Sequence, residues 1–169
     1  PLPRDPVTVA SLAGEAAFVR ARELLGVGFP VAAMREWRYG FARLDAQSQR
    51  QAIHLAAEWQ WYDLAVATAT QFGVFNDYAL LYPRPYGNEV LRAAEAADLA
   101  EGLVYGIIRQ ESLYRRDAVS GAGARGLMQI RPGTASQIAD RVDDLDADRM
   151  DLLDPSVNCL LYTSDAADE

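Results

Sequence analysis

Residues 102–112 read Gly102-Leu103-Val104-Tyr105-Gly106-Ile107-Ile108-Arg109-Gln110-Glu111-Ser112. At the 100° step of an α-helix, Leu103, Val104, Ile107 and Ile108 share one stripe, and Glu111 returns to it between the directions of Ile107 and Ile108. The stretch is therefore predicted to be a helix with a lone carboxylate on its apolar face. Burial disfavours the ionised form of a carboxyl group, so such a position suits a general acid. The same residues also allow a plainer arrangement, with Glu111 reaching solvent or pairing with Arg109, Arg115 or Arg116.

Working toward the C-terminus, Ser120-Gly121-Ala122-Gly123-Ala124-Arg125-Gly126 has little with which to build a core. It is either a flexible connector or a loop whose backbone approaches a ligand or another backbone closely. Leu127-Met128-Gln129-Ile130 follows, and its apolar residues place Gln129 in a buried or cleft-lining position. Pro132-Gly133 turns the chain, and Thr134 with Gln137 has the spacing of a capping box for a further helix. Asp140 to Asp154 is acid-rich and predicted to be a solvated loop with a short helix.

Toward the N-terminus, Tyr82-Pro83-Arg84-Pro85-Tyr86-Gly87 forces extended backbone and marks a boundary. Before it, residues 7 to 80 read as consecutive helices. Val7, Leu12, Ala16, Val19, Leu24 and Leu25 keep one helical period, stopped by Gly26 and Gly28. Pro30 opens a helix through Leu44, Asp45 caps the next, and a stretch from Trp61 to Phe72 ends at Gly73. Residues 88 to 99 are alanine-rich and helical.

The 169 residues carry 16 basic and 24 acidic side chains, a net charge of −8. That balance argues against nucleic acid or an anionic membrane surface as a non-specific partner. One cysteine, Cys159, excludes an internal disulfide, and one histidine, His54, excludes a paired-histidine zinc motif. His54 reads as a helix packing residue. No apolar run is long enough to span a membrane. Pro1 opens the chain without a start methionine, and the sequence reads as a fragment in which an export signal is not observable.

Arg109-Gln110-Glu111-Ser112, Gly126-Leu127-Met128-Gln129-Ile130, Pro132-Gly133-Thr134-Ala135 and Leu153-Asp154-Pro155 through Asn158 resemble, in order and spacing, the soluble lytic murein transglycosylases. Tyr82 to Tyr86 resembles the junction between that family's helical and catalytic parts. The resemblance implies an all-α chain: a helical superhelix of horseshoe type over 1–82, a linker at 83–87, and the N-terminal part of a lysozyme-like α domain over 88–158. It implies cleavage of the β-1,4 bond between N-acetylmuramic acid and N-acetylglucosamine without water, yielding 1,6-anhydromuramyl products. Glu111 matches the acid/base of that reaction, and Ser120, Met128 and Gln129 match substrate-binding positions. Met128 is expected to act through its backbone. The resemblance implies peptidoglycan glycan strands as partner, a periplasmic location, and neither cofactor nor metal.

Two departures stand out. Arg131 lies where the family more often has an apolar residue such as methionine, which bears on contact with the peptide stem. From Cys159 to Glu169 the chain leaves the family pattern and resembles a translated sequencing adapter, so this tail is expected to be non-native and without function. A lysozyme-like hydrolase and a non-catalytic glycan-binding or scaffold fragment are the alternatives.

Overall fold

Two aspartates show how the first half of the chain begins its helices. In the computed structural model, which describes residues 1–139 and 150–166, Asp5 caps α1 (Pro6–Gly14) by accepting the Val7 N–H at 3.0 Å. Asp45 caps α4 (Ala46–Glu58) by accepting the Ser48 N–H at 2.8 Å. Both carboxyls are held below their ordinary range, Asp5 chiefly by the Thr8 hydroxyl and Asp45 chiefly by the Ser48 N–H.

The single helix expected from Val7 to Leu25 is two. α1 and α2 (Ala16–Gly26) meet at Glu15, whose φ of −70° and ψ of 139° are extended. That break resets the helical phase, burying Val9, Leu12, Phe18 and Ala21 and leaving Val7 76% exposed. α3 (Pro30–Phe41) starts at its proline as predicted and ends short of Leu44. α5 (Tyr62–Gln71) gives way to Gly73, at φ 68°, and α6 (Tyr78–Leu81) is a single turn capped by Asp77.

Contacts divide the chain into two units, Pro1–Pro83 and Arg84–Glu169. The core of the first is aromatic. Trp37 takes Phe18, Trp59 and Trp61 edge-on, with ring centroids 4.9, 5.6 and 5.8 Å away, the arrangement favoured by aromatic quadrupoles. Gly40 brings α3 close to α2: a Cβ there would lie 3.0 Å from that of Ala17. His54 is buried on α4, as its apolar neighbours predict, and its Nε2 has no hydrogen-bond partner among the described residues.

The second unit contains α7 (Gly87–Ala96), α8 (Glu101–Ser112), α9 (Pro132–Ala139) and α10 (Pro155–Ala166), with α7 packed on both α8 and α10. α9 begins two residues before the predicted cap, so Thr134 sits inside the first turn and Ala135 N–H donates to Arg131 O at 2.9 Å. Most of the acid-rich stretch, 140–149, lies outside the described residues. Cys159 to Ala166 continue α10, burying Cys159, Leu161 and Thr163. Burial pushes the Cys159 thiol up to about 12. Among the described residues there is no strand, only the isolated bridges Val119↔Arg125 and Arg125↔Ile130, and no helix is long and apolar enough to cross a membrane.

Candidate functional site

α8 delivers Glu111 to its C-terminal end, where the chain turns sharply. Leu113 and Tyr114 both adopt left-handed backbone, at φ 49° and 68°, conformations that cost a non-glycine residue on the order of 1–2 kcal/mol each. Tyr114 is 2% exposed, so its burial offsets part of that cost. Ser112 donates its hydroxyl to Ile108 O at 3.1 Å and so completes the helix turn.

Glu111 itself is exposed, not buried. The face of α8 that packs is Val104, Tyr105 and Ile108, while Leu103 is 53% exposed. At 100° per residue this face is rotated by roughly 70° from the stripe read in the sequence. Tyr105 causes the difference, because its ring is buried and its hydroxyl donates to Pro85 O at 3.1 Å. An aliphatic count passed over it. Glu111 therefore falls at the edge of the buried face, on the last turn. Its carboxylate has no ion-pair partner among the described residues, and Arg115 instead faces Asp117 at 3.6 Å.

The glycine-rich stretch is an ordered knot. Ser120 N–H donates to Ala124 O at 2.9 Å, and Ala124 N–H returns to the Ser120 hydroxyl at 3.0 Å. Arg125 and Ile130 exchange two backbone hydrogen bonds, of 2.9 and 3.0 Å. Gln129, at φ 51°, folds back so that its Nε2 donates to Gly126 O at 2.9 Å and Ala118 O at 3.2 Å. The amide nitrogen is thus committed to the loop, and the Oε1 of this half-buried residue has no hydrogen-bond donor among the described residues. Met128 is 2% exposed and its N–H donates to Asn158 Oδ1 at 2.7 Å, so its side chain is core and its amide is already engaged.

Asn158 is the residue whose part the sequence reading missed. Fully buried on α10, it accepts from Met128 N–H and donates Nδ2 to Arg125 O at 3.0 Å and Leu152 O at 2.9 Å. Gly126, at φ 77°, allows this close approach: a Cβ there would collide with the Leu152 carbonyl oxygen and lie 2.5 Å from Asn158 Nδ2. The available signal was a lone amide between Val157 and Cys159. Ser120, Met128 and Gln129 are therefore brought together in one hydrogen-bonded loop held by Asn158. No hydrogen bond among the described residues links Glu111 to that loop. No group of three or more His, Cys, Asp or Glu side chains suited to a metal ion occurs among the described residues.

An all-helical chain whose second unit carries both this loop and a helix ending in an exposed carboxylate falls in the class of helical-array proteins carrying a transglycosylase-type domain. The Transglycosylase SLT domain matches residues 89–162, and the Soluble lytic murein transglycosylase L domain matches residues 11–77. The chain belongs to the soluble lytic murein transglycosylase family. It is 30% identical over 117 residues to the soluble lytic murein transglycosylase of Salmonella typhimurium, covering 69% of this chain and 18% of that protein. The solved structure of an inactive mutant of lytic transglycosylase Slt from Pseudomonas aeruginosa aligns with a TM-score of 0.85 and 29% identity, over 98% of this chain and 27% of that one. The 70 kDa soluble lytic transglycosylase of Escherichia coli aligns with a TM-score of 0.78 and 27% identity, over 96% of this chain and 27% of that one. The chain thus spans about a quarter or less of the length of these relatives.

Proposed function

We propose that the protein is a lytic transglycosylase that cleaves the β-1,4 bond between N-acetylmuramic acid and N-acetylglucosamine in peptidoglycan and leaves a 1,6-anhydromuramyl end. The observation that carries this reading is that Glu111, Ser120, Met128 and Gln129 all fall within residues 89–162, the span matched by the Transglycosylase SLT domain. Glu111, protonated, donates to the glycosidic oxygen as the C1–O bond breaks and an oxocarbenium-like centre develops. The carbonyl oxygen of the substrate's N-acetyl group stabilises C1. The ionised Glu111 then removes the proton of the C6 hydroxyl, and O6 closes onto C1, which regenerates the acid. One carboxyl group suffices for this sequence, whereas water attack in most glycosidases needs a second. The pairing of Asp117 with Arg115 supports the one-carboxyl scheme.

Ser120 contributes a hydroxyl proton that has no acceptor within its loop, and Gln129 contributes Oε1; both are offered to the glycan. Export to the periplasm, where peptidoglycan lies, completes the proposal. The test is digestion of purified peptidoglycan by the full-length protein, read by mass spectrometry. Anhydromuropeptides, lighter by one water than reducing-end products, are expected. Reducing-end products alone would replace the lyase with a hydrolase.

A further inference from the structure

α6 carries two aromatic rings that the interior does not use. The Tyr82 N–H donates to Tyr78 O at 2.9 Å and closes one helical turn, so both side chains leave the same side of the chain. Tyr78 is 71% and Tyr82 52% exposed, their ring centroids are 6.1 Å apart, and their planes are 31° from parallel. The turn beneath them is stiff. The buried Asp77 carboxylate accepts the Leu2 N–H at 3.0 Å and the Leu80 N–H at 3.2 Å, while Leu80 and Leu81 lie in the core. Two rings held on a fixed turn lose little freedom when a ligand covers them. This stretch of the chain exposes no charge. From Gly73 to Pro83 the one charged side chain is the buried Asp77, and the exposed residues beside the tyrosines add one more ring, Phe75, and one amide, Asn76. The exposed positions of α5, which packs on α6, are Ala67, Thr70 and Gln71.

We infer that Tyr78 and Tyr82 form a stacking platform for an uncharged N-acetylhexosamine strand, a second glycan contact in the first unit, apart from the loop of residues 120–131. The class of ligand rests on the peptidoglycan reading above, which the platform deepens. In a β-1,4-linked strand the ring substituents are equatorial, so each sugar presents C–H groups on its flat faces and hydroxyl and acetamido groups at its edge. The electron-rich face of a tyrosine ring attracts polarised C–H groups. Its phenol hydroxyl both donates and accepts the hydrogen bonds that a sugar's edge offers. Two neighbouring rings suit two successive sugars of one strand. A polyanion or an anionic lipid surface calls for basic side chains, and none lies between Gly73 and Pro83.

The experiment is nitration of tyrosine by tetranitromethane in the full-length protein, with and without a neutral N-acetylglucosamine tetramer, each site read by peptide mass spectrometry. Tyr39, exposed on α3, is the internal control. At about ten times the tetramer concentration that gives half protection, nitration of Tyr78 is expected to slow by about tenfold, with Tyr39 unchanged. Tyr82→Ala removes half of the platform, and the tetramer concentration that protects Tyr78 then rises by roughly threefold to tenfold. Tyr82→Phe keeps the ring and most of the protection. Tryptophan fluorescence checks that both variants fold, and the comparison in the unaltered protein depends on neither. Equal nitration of Tyr78 with and without the tetramer overturns the platform. So does a Tyr78 that is unreactive in the free protein, because another part of the full-length chain then covers it. The same preparation is given peptidoglycan to digest. Anhydromuropeptides without protection of Tyr78 remove the platform and leave the lyase standing, whereas protection of Tyr78 without anhydromuropeptides keeps the platform and removes the lyase.

Discussion

The end of α8 and the middle of α10 pose the same question and answer it in opposite ways. Each sets one polar side chain among apolar neighbours, Glu111 after Ile107 and Ile108, and Asn158 between Val157 and Cys159. Asn158 is wholly buried and spends its amide on three backbone groups. Glu111 is exposed and has no ion-pair partner among the described residues. A polar residue in an apolar run is thus a reliable sign of a special position but does not say which kind. Burial with every donor and acceptor satisfied marks a structural role. A titratable group left unengaged at a helix end is available for chemistry.

The largest expected effect tests the structural half of that contrast. Asn158→Leu leaves Met128 N–H and Leu152 O without that partner in the interior and takes one of the two hydrogen bonds from Arg125 O, and each orphaned group costs about 1–3 kcal/mol. The sum, on the order of 4 kcal/mol, is a large part of what a domain has to lose. Cys159 offers the measurement, since it is the chain's one thiol, lies next to Asn158 and is buried. With its thiol buried and pushed up to about 12, it is expected to be silent toward alkylating agents in the folded protein at pH 8. In Asn158→Leu it is expected to react at a rate approaching that of the denatured chain. A thiol that stays protected shows that the loop is held by something other than Asn158.

The next effect belongs to Glu111. Glu111→Gln keeps the shape and removes the proton donor, and a positioned acid/base group contributes about 10²–10⁴-fold to rate. A loss of about a thousandfold in release of anhydromuropeptides is expected, with stability changed by no more than about 0.5 kcal/mol because the side chain is exposed. Asn158→Leu and Glu111→Gln then separate cleanly, one losing the fold and the other losing only turnover. If Glu111→Gln instead unfolds the second unit while retaining its rate per folded molecule, the assignment of roles is reversed.

These contrasts also explain what the sequence could and could not disclose. Local signals were legible where one residue decides them: Asp45 as a cap, Pro30 as a first helical position, Gly73 as a stop. The break at Glu15 was not, because no proline or turn dipeptide marks it and the apolar spacing runs on past it. The face of α8 was misjudged because Tyr105, an aromatic with a polar tip, packs where an aliphatic count gives it no weight. The motifs picked out the candidate loop, but the Asn158 that braces it with hydrogen bonds lies some thirty residues beyond Met128. Periodicity has no means of showing that a distant amide closes onto Arg125 and Leu152 across a glycine.

The smallest expected effect sets Glu111 beside another exposed carboxylate. Asp45 is equally open to solvent but is bonded, accepting the Ser48 N–H, and its pKa is lowered for that reason. A group whose folded pKa lies below its unfolded value stabilises the fold above the unfolded value and loses that contribution as pH falls through the folded one. Acidification from about pH 5 to pH 2.5 is therefore expected to weaken the first unit through Asp45 and, in the same direction, through Asp5. Asp45→Asn keeps a competent cap, since asparagine also accepts at this position, while removing the titration. Its melting temperature should fall less over that interval than that of the unaltered chain. Tryptophan fluorescence isolates the measurement, because Trp37, Trp59 and Trp61 are the chain's three tryptophans and all lie in the first unit. An identical pH response in the two proteins means that the cap is not what acid undoes, and an exposed carboxylate bonded to a helix end is then no different from one left free.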